Sequence, residues 1–535
     1  MNPPEASSDS AVAISQAVAL ATGADATISR DDALLRVSTE QLEQVLHTNF
    51  EGPAHHVLTT GLGASPGAAV GRIVLTADEA MMATEDVILV QEETSPADVH
   101  GMQVAVGILT TRGGLASHAA VVARGWGKPA VCGAEDIEIR ADHILVNGER
   151  VDVGETISID GQSGHVMRGA MQSTSAQNVP EVETLLAWAD ETRELAIRAN
   201  ADTGTDARLA RINGAEGIGL CRTEHMFLTQ ERLPIIRSMI LSSSPEVEKE
   251  ALRKLREVQR DDFNVLLEEM DGLPVTIRLL DPPLHEFLPE LEELVEADAR
   301  NELDADGTAM LHAVRKWRER NPMIGTRGVR LAWLKPGLYE MQVEALLDAV
   351  SDRLSAGGNP IVEIMIPLVV SANELAGVRE WIETTLQRHP QETSIQIGTM
   401  VETPRAALVA DELAQHSDFF SFGTNDLTQL VFGFSRDDIE SRIMHLYLEE
   451  ELLDANPFQH VDSDAVIELI RTGIERGRST KADLSVGVCG EHGGDPESIE
   501  LLAKVGVDYV SCSPPRIPVA RLAAAHTAIK ARARG

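Results

Sequence analysis

Positive charge is what this 535-residue sequence most lacks: 46 Lys and Arg stand against 84 Asp and Glu, a net charge of −38 at pH 7. A field of that sign repels polyanions, which argues against nucleic acid and anionic membrane as main partners. Aromatic residues make up only 3%, so Ala, Val, Leu and Ile must fill the core. Four cysteines, Cys132, Cys221, Cys489 and Cys512, are widely spread and form no CxxC, which argues against a disulfide framework or a zinc site. A reducing, cytoplasmic compartment is the expectation. No apolar run approaches the roughly 18 residues of a membrane span. The N-terminal MNPPEASSDSAVAISQ has no basic segment ahead of an apolar one, so no secretory signal is expected.

What is present is ordinary for a soluble globular chain: 43% hydrophobic and 24% charged residues. At roughly 150 residues per domain the length suits three or four domains, or two or three if one is a barrel. Residues 1–30 read as poorly ordered apart from a helix around 11–22. Residues 38–46 read as an amphipathic helix capped by Ser38 or Thr39. From about Leu58, short β-rich runs bounded by turn residues (71–76, 86–91, 106–111, 143–148, 156–161) predict a β/α domain ending near Met167. A small, polar stretch then reads as a hinge leading into a helix after Pro180. The boundaries expected are a tail and helical linker remnant at 1–57, a β/α domain at 58–167, a hinge at 168–190 and a large domain at 191–535.

In that last region eight strand-like runs alternate with helical stretches: 195–201, 217–222, 274–281, 361–368, 395–402, 419–426, 484–491 and 507–513. They fit a (β/α)8 TIM barrel with insertions, with a doubly wound open sheet as the alternative. The placement of polar residues favours the barrel. Arg222, Asp281, Glu402, Asp426 and Glu491 fall at the ends of these runs, where a barrel keeps its active site.

Four segments carry chemistry. In TTRGGLASHAAVVARGWGKP (110–129) a strand meets a Gly-Gly turn and then a helix start, with Ser117 as N-cap and His118 in the first turn. A helix N-terminus favours anions and disfavours protonation, so a histidine there stays a neutral nucleophile and its phosphoryl adduct is stabilised. Arginines recur at 222, 278 and 327, and guanidinium forks are well shaped for phosphoryl oxygens. GTMVETPR (398–405) and SFGTNDLTQ (421–429) place Glu402 and Asp426 at neighbouring strand ends. Two carboxylates plus substrate oxygens suit Mg²⁺, and salt bridges to Arg405 or another arginine are the structural alternative. In GVCGEHGGDP (487–496), Cys489 sits at a strand end, where a thiol can exchange a proton near neutral pH. The other three cysteines read as apolar filler.

These segments resemble the phosphoenolpyruvate-utilising enzymes, and within them the pyruvate, phosphate dikinases, from about Ala33 to the C-terminus. The resemblance implies a swivelling phosphohistidine domain followed by a phosphoenolpyruvate/pyruvate-binding TIM barrel. It implies His118 as the phosphorylated residue and Cys489 as the group that protonates C3 of the pyruvate enolate. It assigns substrate contacts to Arg222, Arg278, Arg327, Glu402, Gly423, Thr424, Asn425 and Asp426, and Mg²⁺ to Glu402 and Asp426. Ala116 departs from the pattern: the dikinases usually carry a regulatory threonine there. Of the ATP-grasp region ahead of the histidine domain only a fragment like its last helix, LLRVSTEQLEQVLH, is present, and no GxxxxGK[ST] loop occurs. A separate ATP-grasp subunit and a homodimer through the barrel are the partners implied. Two other readings are an enzyme-I-like phosphotransferase that donates to a carrier protein and a non-catalytic phosphoenolpyruvate-responsive phosphocarrier. The intact set of His118, Glu402, Asn425, Asp426 and Cys489 favours a working enzyme.

Overall fold

The computed structural model describes residues 3–22, 26–50, 54–94, 98–113, 117–174, 179–227, 232–242, 244–281, 287–289, 291–389 and 394–534. Eight parallel strands close into a barrel in chain order. They are Ala196–Asn200, Ile218–Arg222, Pro274–Arg278, Ile361–Ile366, Gln396–Val401, Phe419–Phe422, Ser485–Val488 and Tyr509–Cys512. The eighth strand pairs with the first, Ala196 opposite Tyr509 and Ala199 opposite Cys512, so the sheet is closed and not an open doubly wound one. Barrel interiors are filled by side chains, and glycines make room for the largest. A Cβ on Gly487 would come 2.0 Å from Tyr509 Cζ, and one on Gly398 would come 2.6 Å from the Phe419 ring. Arg198 crosses the interior to Glu363 at 2.7 Å and lies 4.1 Å from the centroid of the Tyr509 ring.

The preceding domain is built on an eight-stranded mixed sheet. Alternation along Val87–Gln91 sends Ile88 and Val90 into one apolar cluster and Val87 and Leu89 into the other, so both faces are covered. All five β runs expected here form strands, four of them in this sheet and His143–Val146 in a separate three-stranded antiparallel sheet. The eight-stranded sheet is completed by Val57–Thr60, Leu62–Ser65, Ala130–Cys132 and His165–Arg168, which are too short or too small-residued to stand out.

The N-terminal segment departs from expectation. A helix spans Pro3–Ala21 where little order is expected before residue 11. Its Ile14, Ala17 and Val18 are buried with Leu34 and Leu42, with Leu185 and Trp188 of helix Pro180–Thr192, and with Leu522 and Ile529 of the last barrel helix. The cause is tertiary: the apolar stripe finds a partner made by the other end of the chain. Ser38 caps helix Thr39–Leu46 in a capping box with Gln41.

The two connections of the β/α domain run side by side. Asn49–Phe50, on the way in, pairs antiparallel with Ser173–Thr174, on the way out. No helix among the described residues is long and apolar enough to cross a membrane.

Candidate active site

Helix His118–Trp126 follows the strand Gly107–Thr110 in the chain; Ser117 is its N-cap, its side chain accepting from the Ala120 N–H at 3.4 Å. His118 is therefore its first residue. Its side chain, like Ala116, lies outside the described residues. The helix ends at Gly127, whose φ of 64° and close approach to Pro515 both exclude a side chain: a Cβ would come 2.8 Å from Pro515 Cβ. It touches the Pro514–Arg516 turn and the helix Arg436–Arg442, which follow the eighth and sixth strands at the C-terminal mouth of the barrel.

That mouth holds a buried charge cluster. Asp281, fully buried, is shared by two arginines. Arg327 grips it with Nε at 2.8 Å and Nη2 at 2.5 Å, and Arg278 Nη1 reaches it at 3.1 Å. Arg278 also pairs with Glu224, and Arg327 Nη1 reaches Asp426 Oδ1 at 3.2 Å. Buried guanidinium groups need such partners, and the carboxylates hold both more firmly protonated than in water despite burial. Neutral hydrogen bonds fix the strand end that presents them: Gln342 accepts from the Leu280 N–H at 2.8 Å and donates to Thr223 at 3.0 Å, and Tyr339 donates to the Leu280 carbonyl at 3.0 Å. Arg278 Nε has no partner among the described residues.

Glu402 directly follows the fifth strand and has no exposed surface. Its Oε1 accepts from the Leu368 N–H at 2.6 Å, while Oε2 has no partner among the described residues. Leu368 holds a φ of 58°, a left-handed conformation that costs energy for such a residue. Burial, then the nearby carboxylates of Asp426 and Asp281, push the Glu402 carboxyl well up, against the pull of Arg278 and Arg327. Gly423 leaves the space beside Oε2, where its own Cβ would come 2.5 Å from that oxygen. Arg405 does not pair with Glu402; it donates to the Val370 carbonyl.

On the other side of the mouth Cys489 is 1% exposed, its N–H bonded to the Phe422 carbonyl at 3.1 Å. Burial pushes its thiol up to about 11. His492 is buried and kept neutral; its Nε2 must donate to the Pro457 carbonyl at 2.9 Å, so Nδ1 accepts from the Thr424 hydroxyl at 2.8 Å. Asn425 Oδ1 accepts from the Glu491 N–H at 3.0 Å, which leaves its amide N–H groups for the mouth. Arg222 is placed by its backbone N–H on Asp202 at 2.5 Å, and its guanidinium has no hydrogen bond among the described residues. The charge of Arg222 is felt at both Cys489 and Glu491.

Arg222, Arg278, Arg327, Glu402, Gly423, Thr424, Asn425, Asp426 and Cys489 thus share one mouth. Sequence reasoning missed Glu224 and the Leu368 amide, and gave Asp281 no role beyond a charged strand end. The signal for Asp281 was its place three residues after Arg278.

The profile of the PEP-utilising enzyme, PEP-binding domain matches residues 176–529, and that of the PEP-utilising enzyme, mobile domain matches residues 83–164. Pyruvate, phosphate dikinase 1, chloroplastic, of Oryza sativa subsp. japonica is 48% identical over 513 residues, covering 93% of this chain and 54% of that protein. The protein of the same name from Arabidopsis thaliana is 46% identical over 516 residues, 94% of this chain and 53% of its own length. Pyruvate, phosphate dikinase 2 of Zea mays is 46% identical over 517 residues, 94% and 58%. The chain spans about half the length of these curated relatives. With two thirds of its length matched by the PEP-binding profile and a mobile domain ahead of it, the chain belongs to the PEP-utilising enzymes.

Proposed function

We propose that this protein interconverts phosphoenolpyruvate and pyruvate through a phosphohistidine at His118, in the manner of the pyruvate, phosphate dikinases it is similar to. The observation that carries this reading is the barrel mouth, where a partly unpartnered cluster of three arginines and four carboxylates, Glu224, Asp281, Glu402 and Asp426, faces a buried thiol. Arg222, Arg278 and Arg327 bind the phosphoryl and carboxylate oxygens of the substrate. The Glu402–Asp426 pair fits a hard divalent cation: Glu402 Oε2 is buried without a partner, Gly423 leaves space beside it, and no third His, Cys or carboxylate completes a protein cage among the described residues. Mg²⁺ bound there would neutralise charge on the transferring group and the developing enolate.

In the forward direction the bridging P–O bond breaks as the imidazole nitrogen of His118 forms a P–N bond, and the enolate of pyruvate is released in the mouth. The Cys489 Sγ–H gives its proton to C3, leaving a thiolate, and the reverse reaction takes that proton back. A thiol held protonated by burial is in the donor form. The phosphoryl group then passes between His118 and a separate ATP-grasp subunit. The working form is a cytoplasmic homodimer formed through the barrel.

Incubation with labelled phosphoenolpyruvate and Mg²⁺ should transfer one acid-labile phosphate per chain and release one equivalent of pyruvate. The His118→Ala variant should take up none while still binding phosphoenolpyruvate. Absence of label on the unaltered protein by intact-mass analysis would sink the reading.

A further inference from the structure

The turn that follows Cys489 is tied to the surface on which the His118 helix sits. Arg436 opens the helix Arg436–Arg442, which touches the His118 helix. Its guanidinium makes a forked pair with Glu491, Nη1 to Oε1 at 2.9 Å and Nη2 to Oε2 at 2.8 Å. Its Nε donates to Glu440 at 2.8 Å, and the other Glu440 oxygen accepts from Asn456 at 2.8 Å. Arg124, on the His118 helix, lies close enough to Glu440 to feel its charge. All three guanidinium nitrogens of Arg436 thus donate to two carboxylates, one facing the mobile domain and one facing the mouth.

From Glu491 the connection runs directly to the chemistry. Its N–H holds Asn425 at 3.0 Å. Gly490, between Cys489 and Glu491, packs so tightly on Thr424 that a Cβ would come 1.9 Å from its hydroxyl oxygen. The turn therefore cannot shift without moving Asn425, Thr424 and Cys489 together. Arg516 pins its far end, with Nε and Nη2 on the Gly494 carbonyl at 3.2 and 3.0 Å and Nη1 on Glu43 at 2.5 Å. That residue closes the Pro514–Arg516 turn, the second element the His118 helix touches.

We propose that Arg436 is a positioning residue that couples seating of the His118 helix to the geometry of Asn425 and Cys489. The inference rests on the transfer reading above. Arg436 touches no substrate; it sets the turn that does the aligning, and misalignment of about 1 Å costs roughly 100-fold in rate. Arg436→Met should therefore lower kcat for labelling of His118 by roughly 10- to 100-fold. KM for phosphoenolpyruvate should stay within about threefold, because Arg222, Arg278 and Arg327 are untouched.

A stranded Glu491 carboxylate will also destabilise this variant. Arg436→Met combined with Glu491→Gln removes that charge, and its melting temperature should recover while kcat stays low. Recovery of kcat together with the melting temperature would show a merely structural role and overturn the proposal. So would an Arg436→Met protein with unchanged kcat, or one whose loss lies wholly in KM. Unaltered protein that takes no label would sink the transfer reading itself, and this proposal with it; label on the unaltered protein separates the two.

Discussion

Single atoms decide what the mouth can hold. The gap at Gly423 is the narrowest test, because a methyl group there would sit 2.5 Å from Glu402 Oε2. Gly423→Ala should leave the fold standing, since its φ of −84° suits alanine, yet lower kcat/KM for phosphoenolpyruvate roughly 100-fold. Steady-state kinetics beside a melting curve checks this, and unchanged kinetics would remove Gly423 from the site. The Cys489 thiol gives a pH test. Burial raises it to about 11, so below that pH it stays protonated and unreactive. Inactivation by iodoacetamide should climb toward pH 11 instead of levelling near the ordinary thiol value of about 8.5. A plateau near the ordinary value would mean that the thiol is wetter than its 1% exposure implies. Arg222 and Arg278 were legible in the sequence because each ends a strand, and Glu402 and Cys489 because each directly follows one. Asp426, read as a strand end, sits instead in the first turn of helix Thr424–Phe432, and Arg327 lies just ahead of helix Val329–Leu334. Glu224 was not legible, being one acid among 84, and neither was the Leu368 amide, which is backbone and has no letter of its own.

At the scale of helices and strands, legibility followed the strength of the local pattern. All eight barrel strands stood out because β-rich runs recur between long helical stretches. The Leu62–Ser65 strand did not, since a leucine, a glycine, an alanine and a serine have little β preference; its pairing with Ala130–Cys132 makes it a strand. The Pro3–Ala21 helix was missed for a similar reason, as its partners lie near residues 185 and 525. One helix end offers a controlled experiment. Gly127 and Gly148 both have positive φ, 64° and 84°, but only Gly127 meets a neighbour, Pro515. The left-handed backbone should cost alanine about 1 kcal/mol at either position, and Gly127→Ala should lose more because its Cβ meets Pro515. Gly127→Ala alone should also slow labelling of His118, because it pushes the helix off the Pro514–Arg516 turn. Equal labelling in the two variants would show that this contact plays no part in docking.

The whole molecule sets a field against the substrate proposed for it. A net charge of −38 repels phosphoenolpyruvate at long range, while the arginines proposed to receive it are concentrated at the mouth. Salt screens the first effect over about 10 Å at 0.1 M and reaches the buried pairs much less. KM for phosphoenolpyruvate should therefore stay flat or fall as salt rises from about 50 to 300 mM, the opposite of a site built from exposed cations. A KM that rises severalfold across that range would place the binding charges in solvent.

The paired connections at Asn49–Phe50 and Ser173–Thr174 have a mechanical consequence. Two separate strings would let the domain they carry wander through a cone, turning about any axis. Two strands laced by hydrogen bonds form a strap, stiff within its plane and compliant across it. A domain on a strap travels along an arc and returns to the same landing point with the same face forward. If His118 works at the barrel mouth as proposed above, its search is then over one angle instead of three.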